Sequence, residues 1–491
     1  MTEKTVASAG VAAPAGGRDA AIESRSIDYV PLDERHGRLG DQATIWFAGS
    51  AQLLSLATGV IGISLGLNLA WTLIALALGT VLGTIPVAAH ASQGPHLGLP
   101  QMIQSRPQFG RYGALFIWAV AIAVYWGYVV LNGNLLGATA NQVVGGSRPV
   151  WVIVLGAVAT VVCVYGYDWM HVGQRLTTVA LVVVLLVYVI GILGGGHLPA
   201  GAFDLGASFA LAPFAMVTSA ALAYQLSWAF FVSDYSRYMP PTTSHRSIVA
   251  YTALGAGFGV FAMEALGAIG AAMFPGKSIT VALERSGDLV FPGLGTAVLV
   301  VGGIALLIFN AMCIYGGSLT LITALDSVRP VRPTRSLRLK SILLVAVTAT
   351  VVGAFLPDDF VGTTFYTILA VLAYLMGPWT AVNLVDYFLV RRGRYSIAEI
   401  FNPRGMYGRW NWHGIAAYLA GFLSMLPFMY LTFYQGFAAT WLHGVDIAFF
   451  VGIPVAGLVY LFLARNVDMQ RELAVIAEAD RDLDRIAAPV E

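Results

Sequence analysis

The chain has 491 residues, of which 58% are hydrophobic and 11% charged, and its formal net charge is +1. A soluble domain carries about 25% charged residues, so this composition excludes a soluble protein of this length. The balanced charge gives no sign of nucleic-acid binding. Mostly apolar runs of about 18 or more residues, long enough to cross a bilayer as helices, recur along nearly the whole chain. The sequence therefore predicts an all-α polytopic membrane protein that contacts the lipid bilayer.

The two tails are expected to be cytoplasmic. Residues 1–40 are rich in Ala, Gly and charge and lack the apolar core of a cleaved signal peptide. About twelve transmembrane helices follow. They begin near Thr44, Leu67, Gly113, Val150, Leu176, Ala210, Ile248, Gly293, Lys340, Thr364, Gly414 and Val445. With the amino terminus inside, all but three of the 27 Lys and Arg residues fall in cytoplasmic segments, as the positive-inside rule requires. We expect a multi-pass protein of the cell membrane with both termini, including residues 466–491, in the cytoplasm.

The first and sixth spans share an unusual polar centre. The first reads FAGSAQLLSLATGVIGISLGL and the sixth SAALAYQLSWAFFVSDY, with Gln52 and Gln225 at matching places. Such groups must face the protein interior or water, because unsatisfied polar groups are costly in hydrocarbon. Interhelical hydrogen bonding is one interpretation. The second is a midplane binding site on broken helices, which transporters built from inverted repeats place at corresponding positions of their two halves. The matching positions favour broken helices.

The third and eighth spans also carry polar and aromatic groups, in AVYWGYVVLNGN and IFNAMCIYGGSLTLIT. Trp and Tyr commonly form belts at the membrane interface, but Trp126 lies about halfway along its span. A flat aromatic surface beside Gln amides suits a planar heteroaromatic ligand, because rings stack on Trp and an amide matches the edge of a base.

Glu264, in FAMEALGAIG of the seventh span, is the only carboxylate that we place well inside a span. Intramembrane carboxylates are costly and commonly functional, so Glu264 is a candidate for proton coupling. The alternatives are a neutral hydrogen bond to a neighbouring helix and a position that faces a water-filled vestibule. At cytoplasmic span ends, Asp234 with Arg237, and Asp386 with Arg391, predict structural or gating ion pairs.

Other function classes lack their signatures in this sequence. Cys163 and Cys313 both lie in spans, so a disulfide framework is not expected. An intramembrane enzyme would need a nucleophile with a base, or a set of metal ligands, and a channel usually shows repeated polar or charged rings. None of these patterns is present, and we expect a transporter that is not an enzyme and has no cofactor.

Four segments resemble one family. They are IDYVPLDERHG near the amino terminus, GPHLGLPQMIQSRPQFGRYG after span two, SDYSRYMP after span six and DYFLVRRGRY after span ten. Together they resemble the nucleobase:cation symporter-1 family, purine–cytosine permease branch, from about Ile27 to Arg465. The resemblance implies a membrane domain at 41–465 with the five-plus-five inverted repeat of amino-acid/sodium symporters, the repeats covering roughly 43–195 and 210–392. Two extra helices at 414–465 would lie outside the repeat. It also implies import of a nucleobase by alternating access, driven by sodium or protons.

The resemblance further implies a set of site residues. In the family, a Trp of span three and a span-six side chain sandwich the ring, and amides from several spans bond its edge. The corresponding substrate-binding residues here are Gln52, Trp126, Tyr224, Gln225, Ser227 and Tyr315. Sodium-coupled members use span-one carbonyls, here near Ala48 and Ala51, with span-eight hydroxyls.

The span-eight positions depart from the sodium-coupled pattern. By the family resemblance, the corresponding residues here are Asn310, Cys313 and Ile314, where paired Ser or Thr would be expected. Sodium prefers hard oxygen ligands, and a thiol and an alkyl side chain are poor substitutes. We therefore expect H⁺ rather than Na⁺ as the coupling ion, with a Na⁺ site as the alternative. The substrate is expected to be cytosine or a purine. The competing substrates are allantoin, a hydantoin, uracil and a vitamin pyrimidine.

Overall fold

The computed structural model describes residues 28–165, 167–329, 331, 334–357 and 365–481. Residues 1–27 and 482–491 of the two predicted tails, and the predicted start of span ten at Thr364, lie outside the described residues. The described part is helical, with one isolated β-bridge between Tyr430 and Gln435. Its α-helices are α1 (Leu39–Ser50), α2 (Leu53–Ser64), α3 (Leu69–Ala91), α4 (Gly94–Leu97), α5 (Arg106–Val144), α6 (Arg148–Tyr165), α7 (Tyr167–Gly194), α8 (Leu211–Leu226), α9 (Val232–Ser236), α10 (His245–Met273), α11 (Ile279–Val290), α12 (Leu294–Val328), α13 (Arg335–Ala354), α14 (Phe365–Val385), α15 (Ile397–Phe401), α16 (Trp412–Met425), α17 (Phe437–Trp441), α18 (Ala448–Leu463) and α19 (Met469–Ala479).

Each of the predicted spans coincides with a helix or a pair of helices. Among the described residues, 8 helices are long and apolar enough to cross a bilayer, and the bent pair α1–α2 brings the number to 9. The other three predicted spans correspond to α6, which is a shorter apolar helix, and to α8 and α16, which have 16 and 14 residues. The candidate span in α7 begins at Leu176, as predicted, although the helix itself begins at Tyr167.

The first span is broken at its predicted centre. α1 ends at Ser50 and α2 begins at Leu53, with a bend of 61° between them. Gln52 is extended, at φ −139° and ψ 158°. Its N–H donates to the carbonyl of Ser50 at 2.9 Å rather than to that of Ala48, four residues earlier. The break therefore leaves main-chain polar groups available inside the protein.

The sixth span is interrupted at the corresponding place. α8 ends at Leu226, a 3₁₀ turn covers Ser227–Phe230, and Phe231 leaves helical geometry at φ −125° and ψ −12° before α9 begins. The prediction of broken helices in spans one and six is confirmed.

A first body is formed by α1, α2, α3, α8, α9 and α10. Its helices touch backbone to backbone through glycines. A Cβ on Gly59 of α2 would lie 1.8 Å from the carbonyl oxygen of Glu264 on α10, and one on Gly79 of α3 would lie 2.2 Å from that of Thr218 on α8. Only glycine permits this approach, so these helices pack as one unit.

A second body is formed by α5 and α12, the two longest helices, with α6 and α13 packed against both. The ring of Tyr125 on α5 fills the space beside Gly316 of α12, where a Cβ would lie 2.5 Å from it. α14 packs against α5 and α8 on one side and against α16 and α18 on the other. The two helix breaks of the first body face α5 and α12.

Candidate functional site

The candidate site lies where the two breaks of the first body meet the second body. Polar and aromatic side chains from four elements converge there, and all of them are buried. They are Gln52 and Ser55 from the first break, Tyr224, Ser227 and Trp228 from the second, Tyr128 and Asn132 from α5, and Phe309, Asn310 and Cys313 from α12.

The hydroxyl of Tyr224 ties the two broken spans together. Gln52 Nε2 donates to it at 3.1 Å, and Ser55 Oγ lies 2.8 Å from it. Ser55 in turn donates to the carbonyl of Ser50 at 2.9 Å, across the first break. These bonds fix the orientation of Gln52 and leave its carbonyl oxygen as the free end of the amide.

Ser227 joins the two bodies. Its hydroxyl donates to the carbonyl of Tyr224 at 2.7 Å, so the hydroxyl of Tyr128, 2.5 Å away, is the donor in their mutual hydrogen bond. The predicted residues Gln52, Tyr224 and Ser227 are therefore brought together, with Tyr128 as their partner from α5.

Trp228 forms the aromatic face of this cluster. Its ring lies 6.4 Å from the ring of Tyr128 at 26°, and it meets the rings of Trp46 at 5.8 Å and Phe309 at 5.5 Å. Its indole nitrogen is buried with no hydrogen-bond partner among the described residues. Stacked aromatic surfaces with a free N–H donor suit a flat polar ring.

Three carboxamide oxygens at the junction are also buried without a partner in the described part: Gln52 Oε1, Asn132 Oδ1 and Asn310 Oδ1. Asn132 donates its amide hydrogen to Cys313 Sγ at 3.9 Å. Free acceptors beside a free donor can form hydrogen bonds with a ligand that has complementary edges.

Trp126 and Tyr315 are not brought to the cluster. Trp126 Nε1 donates to Thr348 Oγ1 of α13 at 3.0 Å, on the outer side of the second body. The ring of Tyr315 lies under the guanidinium of Arg338, 5.2 Å away. Residues two apart on a helix point about 200° from each other, so Tyr128 rather than Trp126 faces this cluster, and the stacking role of Trp126 stays a prediction.

Tyr128 and Trp228 lie in the span-three and span-six segments that the sequence analysis singled out, but neither is among the substrate-binding residues that the family resemblance implies. The available signal was helical spacing, because Tyr128 and Asn132 are four residues apart and so share one face. Trp126 lies on the opposite face.

Gln225 is buried but faces α3 rather than the junction. Its Nε2 donates to Thr84 Oγ1 at 2.9 Å, and a Cβ on Gly83 would lie 2.8 Å from Gln225 Cβ. It therefore lies beside Tyr224 and points into the interior of the first body.

The cation candidates lie in two regions. Ala48 and Ala51 are at the first break, and Asn310 and Cys313 lie on α12. Glu264 lies on α10 within the first body, is wholly buried, and accepts a hydrogen bond from Thr80 Oγ1 at 2.8 Å through Oε2. Its Oε1 has no partner among the described residues.

The predicted pair of Asp234 and Arg237 lies where α9 ends. The carboxylate of Asp234 accepts the N–H of Gln101 at 2.8 Å. Arg237 Nε donates to the carbonyl of Asp234 at 3.2 Å, and its Nη1 donates to the carbonyl of Asp28 at 3.3 Å. This group holds the chain before α1 against the end of the sixth span.

The second predicted pair, Asp386 with Arg391, is an ion pair at 2.5 Å with both side chains buried. Arg391 also pairs with Glu472 of α19 at 2.9 Å. Tyr395 donates to Asp386 at 2.8 Å, and burial together with this carboxylate raises the pKa of Tyr395 well above its usual range, so the phenol stays a neutral donor.

Over the described residues, no group of three or more His, Cys, Asp and Glu side chains could hold a metal ion. The oxygens at the junction come from amides, hydroxyls and the main chain. Such a set can bind a neutral heterocycle or a monovalent cation.

Comparison with known proteins gives one family and one fold. A family described as permease for cytosine/purines, uracil, thiamine, allantoin matches residues 29–452. The chain is 32% identical over 452 residues to the "Putative purine-cytosine permease YxlA" of Bacillus subtilis, covering 90% of this chain and 96% of the relative. It is 24% identical to the purine-cytosine permease fcyB of Emericella nidulans, covering 90% and 88% of the two chains.

A further relative is the hydantoin permease of Microbacterium maritypicum, 24% identical over 89% of this chain and 91% of the relative. Among solved structures, the inward-facing conformation of Mhp1 superposes with a TM-score of 0.73 over 96% of this chain and 99% of Mhp1, at 18% identity. This likeness is one of fold, and it confirms the predicted five-plus-five inverted-repeat architecture.

Proposed function

The chain belongs to the family of permeases for cytosine/purines, uracil, thiamine and allantoin, and we propose that it imports cytosine or a purine base, coupled to a cation gradient. The family and fold make it a multi-pass membrane transporter rather than an enzyme. The cell membrane, the cytoplasmic termini, the coupling ion and the nucleobase are parts of the proposal.

The observation that carries the substrate class is the junction of free amide oxygens and aromatic faces. Amino and ring N–H groups of a nucleobase can donate to Gln52 Oε1, Asn132 Oδ1 and Asn310 Oδ1, and a ring nitrogen or carbonyl can accept from Trp228 Nε1. The rings of Tyr128 and Trp228 offer faces for stacking. The relatives named as purine-cytosine permeases support the same substrate class.

Alternating access is supported by the division into two bodies with the site between them. The site residues are buried in this conformation. On one side α11 packs across α2, α5, α10 and α12. On the other, the buried Val30 donates its N–H to the carbonyl of Gly98 at 2.9 Å, and Arg35 Nη1 donates to that of Pro95 at 2.7 Å. Opening either side in turn would expose the site.

Proton coupling is favoured over sodium coupling by the donor sets. Glu264 is the carboxyl group of the first-body interior and receives one hydrogen bond, from Thr80. An ionised carboxylate with so few donors in a bilayer core is costly, so uptake of a proton by Glu264 would remove this cost. On α12, Cys313 and Ile314 supply no hard oxygen through their side chains, and a sodium ion would depend on Asn310 and main-chain carbonyls.

The second candidate is transport of another small heterocycle by the same mechanism. Relatives named hydantoin permease and allantoin permease favour it, and the same amide edges can bond either ring. Uracil and a vitamin pyrimidine are further candidates of this kind.

The test is uptake of radiolabelled cytosine into proteoliposomes under separately imposed proton and sodium gradients, with protein-free liposomes as the control. Unlabelled adenine, hypoxanthine, uracil, allantoin and hydantoin compete in parallel. We expect uptake by the wild-type protein to follow the proton gradient and not to depend on sodium. In Glu264→Gln, cytosine should no longer accumulate against its concentration gradient. Sodium-driven uptake would refute the choice of ion, and competition by allantoin or hydantoin without cytosine uptake would refute the choice of substrate.

A further inference from the structure

The interior of the first body contains polar side chains that the substrate site does not use. Thr80 and Thr84 lie one turn apart on α3 and both are buried. Thr80 Oγ1 donates to Glu264 Oε2 at 2.8 Å. Thr84 Oγ1 donates to the carbonyl of Thr80 at 2.7 Å and accepts from Gln225 Nε2 at 2.9 Å. Hydrogen bonds to the hydroxyl and to the carbonyl of Thr80, and the bond from Gln225 to Thr84, therefore connect Glu264 with the end of α8.

α2 provides a second series of contacts between Glu264 and the end of α8. Gly59 packs against the carbonyl of Glu264, where a Cβ would lie 1.8 Å away. One turn earlier, the hydroxyl of Tyr224 donates to Ser55 Oγ at 2.8 Å, because Ser55 donates its own hydrogen to the carbonyl of Ser50, and it accepts from Gln52. Tyr224 and Gln225 are adjacent, so both routes reach the last turn of α8, directly before the break in the sixth span.

The hydrogen bond at Thr80 depends on whether Glu264 carries a proton. An ionised Glu264 has only acceptors, so Thr80 must donate to it. When Glu264 takes up a proton, its O–H can donate to Thr80, which then turns its own hydrogen to the carbonyl of Leu76, four residues earlier. Thr84 already makes this kind of bond to Thr80. Protonation thus redistributes the bonds along one face of α3.

Few other titratable groups face Glu264 from the described helices packed on α10. α2 has none, and α8 contributes Tyr224. The remaining titratable or charged residues of these helices lie at helix ends, on α11 or beyond it: Asp41 (α1), His90 (α3), Tyr188 (α7), His245, Arg246 and Tyr251 (α10), and Glu284, Arg285 and Asp288 (α11). Glu264 is therefore the carboxyl group inside the first body that can change its charge by binding or releasing a proton.

We propose that Thr80, Thr84 and Gln225 are positioning residues that transmit the protonation state of Glu264 to the break in the sixth span. This inference rests on the proposed proton coupling. The series passes through the backbone carbonyl of Thr80, so it transmits bond geometry and does not conduct a proton. Gln225 acts on the substrate through its neighbour Tyr224 and makes no contact with the substrate itself.

Linkage gives the inference a quantitative test. If a proton on Glu264 favours the substrate-binding geometry, substrate affinity must be higher at low pH, and typical couplings correspond to about 5- to 150-fold. We expect the Kd of the full-length protein for cytosine in detergent to be about tenfold lower at pH 5.5 than at pH 8. Glu264→Gln should give a Kd that no longer depends on pH.

Thr80→Val, Thr84→Val and Gln225→Met should reduce the pH ratio of Kd to about threefold or less, while leaving the Kd at pH 5.5 within about twofold of wild type. The matched control is Thr252→Val, which removes a buried α10 hydroxyl that has no hydrogen-bond partner in the described part. It should keep the wild-type ratio. Thermal unfolding of each variant separates loss of coupling from loss of folded protein.

The outcomes distinguish the inference from the proposed function. A pH-dependent wild type and a pH-independent Glu264→Gln, with wild-type ratios in Thr80→Val and Thr84→Val, would overturn the inference and leave proton coupling standing. A wild-type Kd that does not change with pH, or a pH-dependent Glu264→Gln, would overturn both. Absence of cytosine binding with pH-dependent binding of another heterocycle would refute the substrate alone, and the same series would then be measured with that compound.

Discussion

The hydroxyl of Tyr128 on α5 lies 2.5 Å from the hydroxyl of Ser227, the first residue of the 3₁₀ turn that interrupts the sixth span. This hydrogen bond crosses from the second body to the first at the candidate site. A substrate that enters between the bodies must separate or rearrange the pair. Tyr128 is therefore placed to contact the ring of a ligand, and its hydrogen bond to Ser227 is present when the two bodies are close together.

The ring of Tyr128 should matter more than its hydroxyl for binding. Tyr128→Ala removes the face that lies 6.4 Å from the ring of Trp228, and aromatic–base stacking contributes about 1–3 kcal/mol. We expect the Kd for cytosine to rise by about tenfold or more. Tyr128→Phe keeps the ring and loses the bond to Ser227, so its Kd should stay within about threefold while the uptake rate changes.

Trp126→Ala is the control for this pair, because Trp126 bonds to Thr348 on the far side of α5. Its Kd should stay close to that of wild type, as measured by isothermal titration. A large loss of affinity in Trp126→Ala with no loss in Tyr128→Ala would restore the role predicted from sequence and contradict the arrangement of this site.

Asn310→Leu should affect stability and binding in opposite directions. Its Oδ1 is buried without a partner in the described part, and such a group costs about 1–3 kcal/mol. We expect the substrate-free protein to unfold at a higher temperature and the substrate-induced rise in Tm to shrink. Asn134→Leu is the control. The Asn134 amide donates to the carbonyl of Gly353 on the outer side of the second body, so binding should be unchanged there.

The parts of the structure that sequence predicted best are those set by composition and spacing. The apolar runs located the spans, and the paired Gln52 and Gln225 located both breaks, because a polar centre in an apolar span must be satisfied inside the protein. Side-chain direction was harder. Gln225 matched Gln52 in the chain, yet it points to Thr84 because Gly83 lets α8 approach α3 at that position.

Side-chain direction also determines which aromatic residue of the third span faces the candidate site. Trp126, Tyr128 and Tyr125 are all large, apolar-compatible side chains within four positions. Which of them faces the other body depends on how α5 is rotated against α12, and that rotation is set by close packing of Tyr125 beside Gly316. A long-range fit of this kind has no local signature in the sequence.

Gly59→Ala should destabilise the first body severely. The added Cβ would lie 1.8 Å from the carbonyl oxygen of Glu264, and neither backbone can yield without separating α2 from α10. We expect little folded protein, or a large fall in Tm by fluorescence-detected size-exclusion chromatography. Gly127→Ala on α5 is the matched control, since a Cβ there has nothing within 4 Å. It should be neutral or stabilising by up to about 1 kcal/mol. Equal behaviour of the two variants would contradict the backbone contact.

The ion pair of Asp386 and Arg391 should be far more important for stability than the outer pair of Arg391 and Glu472. Asp386 is wholly buried and also accepts hydrogen bonds from Gln108 at 2.6 Å and Tyr460 at 2.9 Å. Arg391→Met would leave its carboxylate without a cation, and breaking a buried pair in this way costs about 3–5 kcal/mol.

Glu472→Gln changes only the partner on α19, whose side chain keeps 13% exposure and whose amide oxygen can still accept from Arg391, so the cost should be smaller than that of Arg391→Met. Thermal unfolding of both variants in the same detergent measures the difference, and limited proteolysis reports release of α19. We expect Glu472→Gln to loosen the first turn of the helix with little change in Tm, because Asp480 at its end still accepts from Ser396 Oγ and from the N–H groups of Ile397 and Ala398. A higher Tm for Arg391→Met than for Glu472→Gln would contradict this order. It would show that the main role of Arg391 is to hold α19 rather than to neutralise Asp386.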